Sequence, residues 1–227
     1  MNPSPSKTLA GKSRVFVVDD HPLVREGLTN LINRQDDLVV CGEAMNSAQA
    51  IEGIAEARPD VALIDISLTN ESGLELIKQL GRQFPQVALI VLSMHEEALY
   101  AERALHAGAR GYVMKHETSK SVLAAIRRVL GGGVYVSERI FKRIALRSRS
   151  SREPMMTSPV ERLSDRELEI FRLLGQGRTS SQIAKDLNLS LKTVQAYCAR
   201  AKAKFGVDSL TELLRAAIRW DDASQVK

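Results

Sequence analysis

Cysteine is close to absent from this sequence. Two residues, Cys41 and Cys198, among 227 positions provide no disulfide framework, which sets aside the small secreted domains that depend on one. Both fall inside segments read as regular elements, so they are expected to be reduced, buried, small hydrophobic residues. Long apolar runs are also missing: nothing approaches the roughly 18 consecutive apolar residues that a bilayer crossing needs. The first dozen residues carry Pro, Ser, Lys and Gly without an apolar core, so no export signal is expected. Internal repeats and coiled-coil heptads are lacking as well. What remains is a chain with 44% apolar residues, enough for one or two packed cores, expected to be cytoplasmic and without a membrane partner.

Charge is unevenly spread along the chain. Residues 1–136 hold 14 Lys and Arg against 16 Asp and Glu, whereas residues 137–227 hold 18 against 11, so a net of −2 is followed by a net of +7. Segregation of the basic excess into the last third favours a polyanionic partner for that segment.

Four apolar runs end on polar residues. Val15–Val18 runs into Asp19 and Asp20, Val61–Ile64 into Asp65, Val87–Leu92 into Ser93, and Gly111–Met114 into Lys115. Short Val-, Ile- and Leu-rich runs separated by helical periods read as strands of a parallel sheet buried on both faces. Functional groups of such open α/β sheets gather beyond the carboxyl ends of the strands. Three carboxylates, a hydroxyl and an ammonium are therefore expected to converge in one crevice, a set suited to phosphoryl transfer with a metal. A hard ion such as Mg²⁺ takes oxygen ligands in preference to histidine or thiolate. A carboxylate can act as the nucleophile that forms an acyl phosphate, and Mg²⁺ and Lys115 would offset the charge that accumulates. Taken singly, most of these residues have plainer explanations. Asp20, before His21 and Pro22, fits a helix N-cap; Lys115 fits a solvated loop lysine, and Ser93 a turn or cap residue. Asp65 resists such a reading, because a carboxylate closing a buried apolar strand needs partners.

Between the strands, helical periods predict helices over 22–33, 47–57, 73–83, 97–107 and 119–130, with a further strand at Leu38–Cys41. The alternation predicts an α/β domain of five parallel strands over 14–136, preceded by a disordered tail, 1–13. Gly131, Gly132 and Gly133 end the last helix, since glycine accepts the left-handed turn that follows one. A short basic helix from Ser137 to about Leu146, then a flexible linker from Arg147 to Pro159, make up the expected connector, 137–160.

Residues 161–222 are expected to form an all-α domain of four helices. Ser164 with Glu167, Thr179 with Gln182 and Ser209 with Glu212 make capping boxes, and Ser190 can cap the remaining helix. The helices then run over 164–174, 179–187, 190–205 and 209–220. The middle pair, joined by the tight Asn188-Leu189 turn, form a helix-turn-helix whose second helix enters the DNA major groove. On that helix Leu191, Val194, Cys198, Ala201 and Phe205 share an inward stripe. Lys192, Ala196, Ala199, Arg200 and Ala203 lie opposite, flanked by Gln195 and Lys202. The candidate DNA-contacting residues are Lys192, Thr193, Gln195, Ala196, Ala199, Arg200 and Lys202. Long basic side chains suit phosphates or guanine, Gln195 suits adenine, and the alanines suit thymine methyl groups. A merely solvated helix with small residues would carry the same pattern.

The polar strand ends, in their order and spacing over roughly Arg14 to Val136, resemble the receiver domain of two-component response regulators. Leu163 to Glu167, Gly177, Ile183, Ala184, Leu187, Ser190 and Lys192 to Val194 resemble the LuxR-type helix-turn-helix. Together the chain resembles the NarL/FixJ family. The resemblance implies a flavodoxin-like strand order, 2-1-3-4-5, with Asp65 phosphorylated by a sensor histidine kinase. By the same resemblance Asp19, Asp20, Asp65 and the backbone carbonyl of Ser67 hold Mg²⁺, Ser93 binds a phosphoryl oxygen, Lys115 pairs with the phosphorylated carboxylate, and Tyr112 is the switch aromatic paired with Ser93. It implies a transcription regulator that forms a homodimer on phosphorylation and binds double-stranded promoter DNA, with RNA polymerase as a further partner. Thr69 and His116 stand where the family usually has proline. Ser180, Gln182 and Tyr197 replace the usual asparagine, glutamate and histidine, which bears on the details of DNA contact.

Two other readings exist. An Mg²⁺-dependent phosphatase with an aspartyl nucleophile usually has a second carboxylate two residues later as general acid, and Ser67 stands there. A receiver that only dimerises, without phosphorylation, is distinguished by incubation with a small phosphodonor and Mg²⁺. The expectation is therefore a regulator, not an enzyme.

Overall fold

The structure is a computed structural model that describes residues 11–68, 73–93, 97–115, 119–138, 140–142 and 158–225. The chain divides into two units, 1–149 and 150–227. Thr69, His116 and the linker from 147 to 157 lie outside the described residues, as does the tail up to residue 10.

Strands and helices alternate through the first unit: β1 (Ser13–Val18), α1 (Pro22–Asn33), β2 (Leu38–Ala44), α2 (Ser47–Ala57), β3 (Val61–Asp65), α3 (Gly73–Gln83), β4 (Ala88–Ser93), α4 (Glu97–His106), β5 (Gly111–Met114) and α5 (Ser119–Leu130). Every pairing is parallel and the order is β2-β1-β3-β4-β5. Parallel neighbours need crossovers, which the helices supply. β3 and β4 are buried along their whole length, which is why they read as unbroken apolar runs. On one face Val15, Val17, Leu63, Ile90 and Val113 pack with Ile32 of α1 and with Val122, Ala125, Ile126 and Val129 of α5. Phe16 points the other way, tight against Gly42 and Gly53; a Cβ on either glycine would come within 2.6 Å of its ring.

The chain goes from β1 outward to β2 and then returns past β1 to β3, so the order reverses between β1 and β3. Crevices open at such switch points. Register does the rest: Val18 pairs with Ile64, which sets Asp19 beside Asp65, and Ser93 pairs with Met114, which brings Lys115 to the same end. β2 runs on to Ala44, past the expected Cys41, because its pairing with β1 resumes after an irregularity at Val15/Phe16. Gly42 and Glu43, which precede Ala44, carry no apolar signal. Cys41 is only half-buried, a correction to its expected burial, since β2 is an edge strand; its Sγ donates to the Val15 carbonyl at 3.4 Å. Burial raises the pKa of both Cys41 and Cys198, which keeps the thiols protonated at neutral pH.

After α5 the chain turns at Gly132, with φ +81°, and lays Tyr135 along the open edge of β5. The Tyr112 amide donates to the Tyr135 carbonyl at 2.8 Å, and the Tyr135 amide to Arg110 at 2.9 Å. The expected helix from Ser137 is seen in its first turn, where the Ser137 carbonyl accepts from Phe141 and Ile140 is buried. Its continuation from 143 lies outside the described residues.

The second unit contains α6 (Asp165–Gly175), α7 (Ser180–Asp186), α8 (Leu191–Phe205) and α9 (Leu210–Gln225). Capping boxes start α6 and α7, and Ser190 accepts from the Thr193 amide at the start of α8. Ser209 and Glu212 exchange bonds of 3.1 and 3.2 Å before α9. The turn between α7 and α8 places Asn188 at φ +50°, a left-handed conformation that asparagine tolerates. Phe171 is the hub of the core, stacked on Phe205 at 4.7 Å and tilted against Trp220 at 5.9 Å. Among the described residues no helix is long and apolar enough to cross a membrane.

Candidate functional site

Lys115 Nζ lies 2.7 Å from Asp19 Oδ2 and 2.7 Å from Asp65 Oδ2, so one ammonium bridges the ends of β1 and β3. Both carboxylates are buried and the lysine nearly so. Asp65 Oδ1 accepts from the Ser67 amide at 2.9 Å, and Asp19 Oδ1 from the His21 amide at 2.9 Å. The Lys115 amide in turn donates to the Ser93 carbonyl at 2.7 Å, which ties the ends of β4 and β5. Burial pushes the Asp65 carboxyl above its ordinary range, opposed by the Lys115 and Ser67 hydrogen bonds and reinforced by the charge of Asp19. Burial works against the Lys115 charge too, but the hydrogen bonds to Asp19 and Asp65 outweigh it and hold the ammonium above its usual value. Ser93 is buried at the end of β4, and Tyr112 is buried within β5.

Asp20 completes a group in which ligand atoms of Asp19, Asp20, His21 and Asp65 all lie within 4.8 Å of one another. Three carboxylates against one ammonium leave two negative charges in excess. A divalent cation matches that excess, and the oxygen donors match a hard one. The helix-cap alternative for Asp20 is not realised: the N-cap of α1 is His21, with no side-chain cap bond, and the helix opens on Pro22. The His21 ring is 65% exposed, with Nδ1 2.7 Å from Asp20 Oδ1. Arg25 Nη1 donates to the Asp19 carbonyl at 2.7 Å and its Nε lies 3.5 Å from Glu43, so α1 and β2 together fix the peptide that carries the acidic pair.

Gly73 is what lets α3 pack beside Asp65. A Cβ there would stand 2.5 Å from Ile66 Cα and 2.7 Å from the Asp65 carbonyl oxygen, both backbone atoms that cannot swing aside. Gly73→Ala should therefore lower stability by about 1–3 kcal/mol, as overpacking does, and displace the Asp65 strand end. Chemical denaturation checks this; a variant with wild-type stability would contradict it.

On α8, Val194, Cys198 and Ala201 are buried as expected, and Phe205 stacks on Phe171. Leu191 is 44% exposed, a correction to its inward placement: it is the first residue of the helix, and an inward angle buries a side chain only where another element covers that turn. Lys192, Gln195, Ala196, Ala199 and Arg200 are exposed together. Thr193 takes part in the cap, its Oγ1 2.7 Å from Ser190 Oγ, and Lys202 Nζ donates to the Asp208 carbonyl at 2.9 Å. Behind the helix, buried Glu167 of α6 accepts from Lys204 Nζ at 2.6 Å, and its Oε1 lies 3.7 Å from Arg200 Nε.

Residues 15–127 match the response regulator receiver domain, and residues 161–217 match the bacterial regulatory proteins of the luxR family. The chain is 33% identical over 210 residues to the oxygen regulatory protein NreC of Staphylococcus aureus, covering 91% of this chain and 97% of that one. The chain belongs to the NarL/FixJ family of response regulators. Among solved structures it is similar to RcsB of Salmonella enterica serovar Typhimurium bound to a promoter in the presence of the phosphomimetic BeF3-, with a TM-score of 0.65 at 27% identity over 91% of this chain and 98% of that one. A LuxR-family response regulator from Aurantimonas sp. SI85-9A1 is similar at a TM-score of 0.56 and 31% identity, over 61% of this chain and 99% of that one.

This response regulator also carries groups that periodicity does not flag. His21, Arg25, Glu167 and Lys204 were not anticipated at the sites. His21 has a signal, its adjacency to Asp20, whereas Glu167 stands out in the sequence as a capping residue and as part of the LuxR-type resemblance, neither of which points to α8. Burial opposes the Glu167 charge, but the Lys204 hydrogen bond and the Ser164 amide prevail and hold its pKa below the ordinary value of 4.5. A depressed folded pKa contributes stability that is full above the unfolded value and lost as pH falls through the folded one. Glu169 works in the opposite sense, since burial raises its pKa. The stability advantage of wild type over Glu167→Gln should therefore shrink as pH drops below about 4.5. Trp220, the only tryptophan, lies in this unit and reports its melting by fluorescence; an advantage independent of pH would contradict the assignment.

Proposed function

We propose that Asp65 receives a phosphoryl group from a sensor histidine kinase and that this controls binding of the helix-turn-helix to promoter DNA. The observation that carries the reading is the Lys115 ammonium bridging buried Asp19 and Asp65 at the switch point of the sheet. In this reading 14–136 is the receiver, 137–160 the connector and 161–222 the DNA-binding domain, in a cytoplasmic protein.

An oxygen of the Asp65 carboxylate attacks phosphorus; the bond from phosphorus to the donor breaks, its electron pair leaves with the donor, and an acyl phosphate remains. Ser93 accepts the transferred group by donating its hydroxyl to a phosphoryl oxygen, and Lys115 keeps its charge beside the new dianion. Asp19, Asp20, Asp65 and the Ser67 carbonyl would hold Mg²⁺. Bound there, the ion would neutralise the charge of the transferring phosphoryl oxygens. Ser67 supplies no carboxyl acid to hydrolyse the product, which favours a regulator over a phosphatase. Incubation with acetyl phosphate and Mg²⁺, followed by intact mass measurement, tests the assignment; a chain that gains no phosphoryl group contradicts it.

The phosphoryl group shifts the chain toward a homodimer through its differential contact with the two states. RcsB, a solved relative, is seen bound to promoter DNA, and the exposed face of α8 supports the same partner class here, with RNA polymerase as a further contact at the promoter. Few long side chains aim at bases, so affinity should be largely electrostatic, and two copies on half-sites roughly 34–36 Å apart, or a multiple of that, would supply specificity. Gln195→Ala should relax base preference at one position by about 1–3 kcal/mol without changing the salt slope. Titrations against salt and against single-base variants of a bound duplex check this; unchanged preference would mean that α8 docks differently.

A further inference from the structure

Among the described residues of the second unit, Glu167 is the one buried charged side chain. A buried carboxylate is tolerated when paired and hydrogen-bonded, and its partners come from two helices. Oε2 accepts from the Ser164 amide at 2.8 Å, inside its own capping box, and from Lys204 Nζ at 2.6 Å across on α8. Oε1 faces Arg200 Nε at 3.7 Å. The Arg200 guanidinium also lies over the Tyr197 ring, 4.4 Å from its centroid, while its side chain remains 57% exposed. Arg162 closes the arrangement from the other end by donating to the Lys204 carbonyl at 2.6 Å. Arg200 is thus held on one side by a carboxylate and on another by a ring face, with the rest of its fork open to solvent.

We infer that Glu167 is a positioning residue for DNA recognition: anchored by Lys204 and the Ser164 amide, its carboxylate together with Tyr197 presents the Arg200 guanidinium in one orientation on the outer face of α8. The inference rests on α8 being the helix that meets DNA. An arginine fork discriminates when both its donors reach their acceptors together, which requires a fixed plane. Charge by itself predicts the reverse outcome for a test variant. Removing a negative group near a DNA-facing helix should tighten binding to any duplex, whereas removing an orienting group should weaken binding to the preferred duplex alone. Glu167→Gln separates the two, because glutamine still serves a capping box.

The phosphorylated full-length chain is titrated against a duplex it has selected from a random library and against an unselected duplex, at a temperature where circular dichroism shows each variant folded. Arg200→Ala and Glu167→Gln should each lose about tenfold on the selected duplex with binding to the unselected one not weakened by Glu167→Gln, and the double variant should be no weaker than Arg200→Ala. Losses that multiply in the double variant, or a Glu167→Gln that binds the selected duplex as tightly as wild type, overturn the positioning role while leaving α8 as the reading helix. An Arg200→Ala without effect overturns both. If Glu167→Gln does not fold, Tyr197→Phe and Tyr197→Leu carry the test: the first should keep wild-type discrimination and the second lose about threefold of it, and equal discrimination by both overturns the inference.

Discussion

Asp65→Asn should accept no phosphoryl group from acetyl phosphate at any Mg²⁺ concentration and should bind DNA with the same affinity before and after the treatment. Asp19 and Asp65 are both buried and both paired to Lys115, and of the two it is Asp65 that closes β3, between the end of β1 with its acidic pair and the end of β4 with Ser93. Asparagine is close in size and can still accept from the Ser67 amide, so the fold is retained while the nucleophilic oxygen pair is lost. Label that persists at undiminished stoichiometry would move the acceptor elsewhere.

The second large effect concerns Lys115. Its ammonium is the cation bridging Asp19 and Asp65, and removal of one partner from a buried ion pair costs about 3–5 kcal/mol because the remaining charge is left uncompensated. Lys115→Ala should therefore melt well below wild type in the absence of divalent ions. Mg²⁺ should stabilise the variant by more than it stabilises wild type, since the ion then meets three carboxylates with no lysine among them. Thermal melts with and without Mg²⁺ give the comparison directly. Phosphorylation of the variant should also fail to change DNA affinity, because the group that follows the charge on Asp65 is gone. An Mg²⁺ increment no larger than that of wild type would contradict this electrostatic account.

The cluster at the strand ends was legible because the interior of a buried parallel strand is apolar, so Asp19, Asp65, Ser93 and Lys115 stood out where the apolar runs stop. α1, α2, α3 and α5 coincide with the expected spans, since each is bounded by a cap, a proline or glycine. Less was legible where an element's signal is not apolar. β2 continues through Gly42 and Glu43, which carry no apolar signal, to Ala44, and α9 continues to Gln225, beyond the expected 220, through a mostly polar stretch. On α8 an angular reading separates inside from outside but says nothing of what a long side chain bonds to. Lys202 and Arg200 share the outer half of that projection, yet one donates to the Asp208 carbonyl and the other lies between Glu167 and Tyr197. Glu167 was legible as a cap and illegible as the partner of α8, because that pairing depends on how two helices cross.

The proposed function requires coupling between Asp65 and the helix-turn-helix. Its most direct test is the affinity of the wild-type chain for a labelled duplex carrying two half-sites, titrated with and without acetyl phosphate and Mg²⁺ while light scattering follows the mass. The account predicts that phosphorylation raises both affinity and mass together, and that Asp65→Asn shows neither change; full phosphorylation with affinity and mass both unaltered would contradict it.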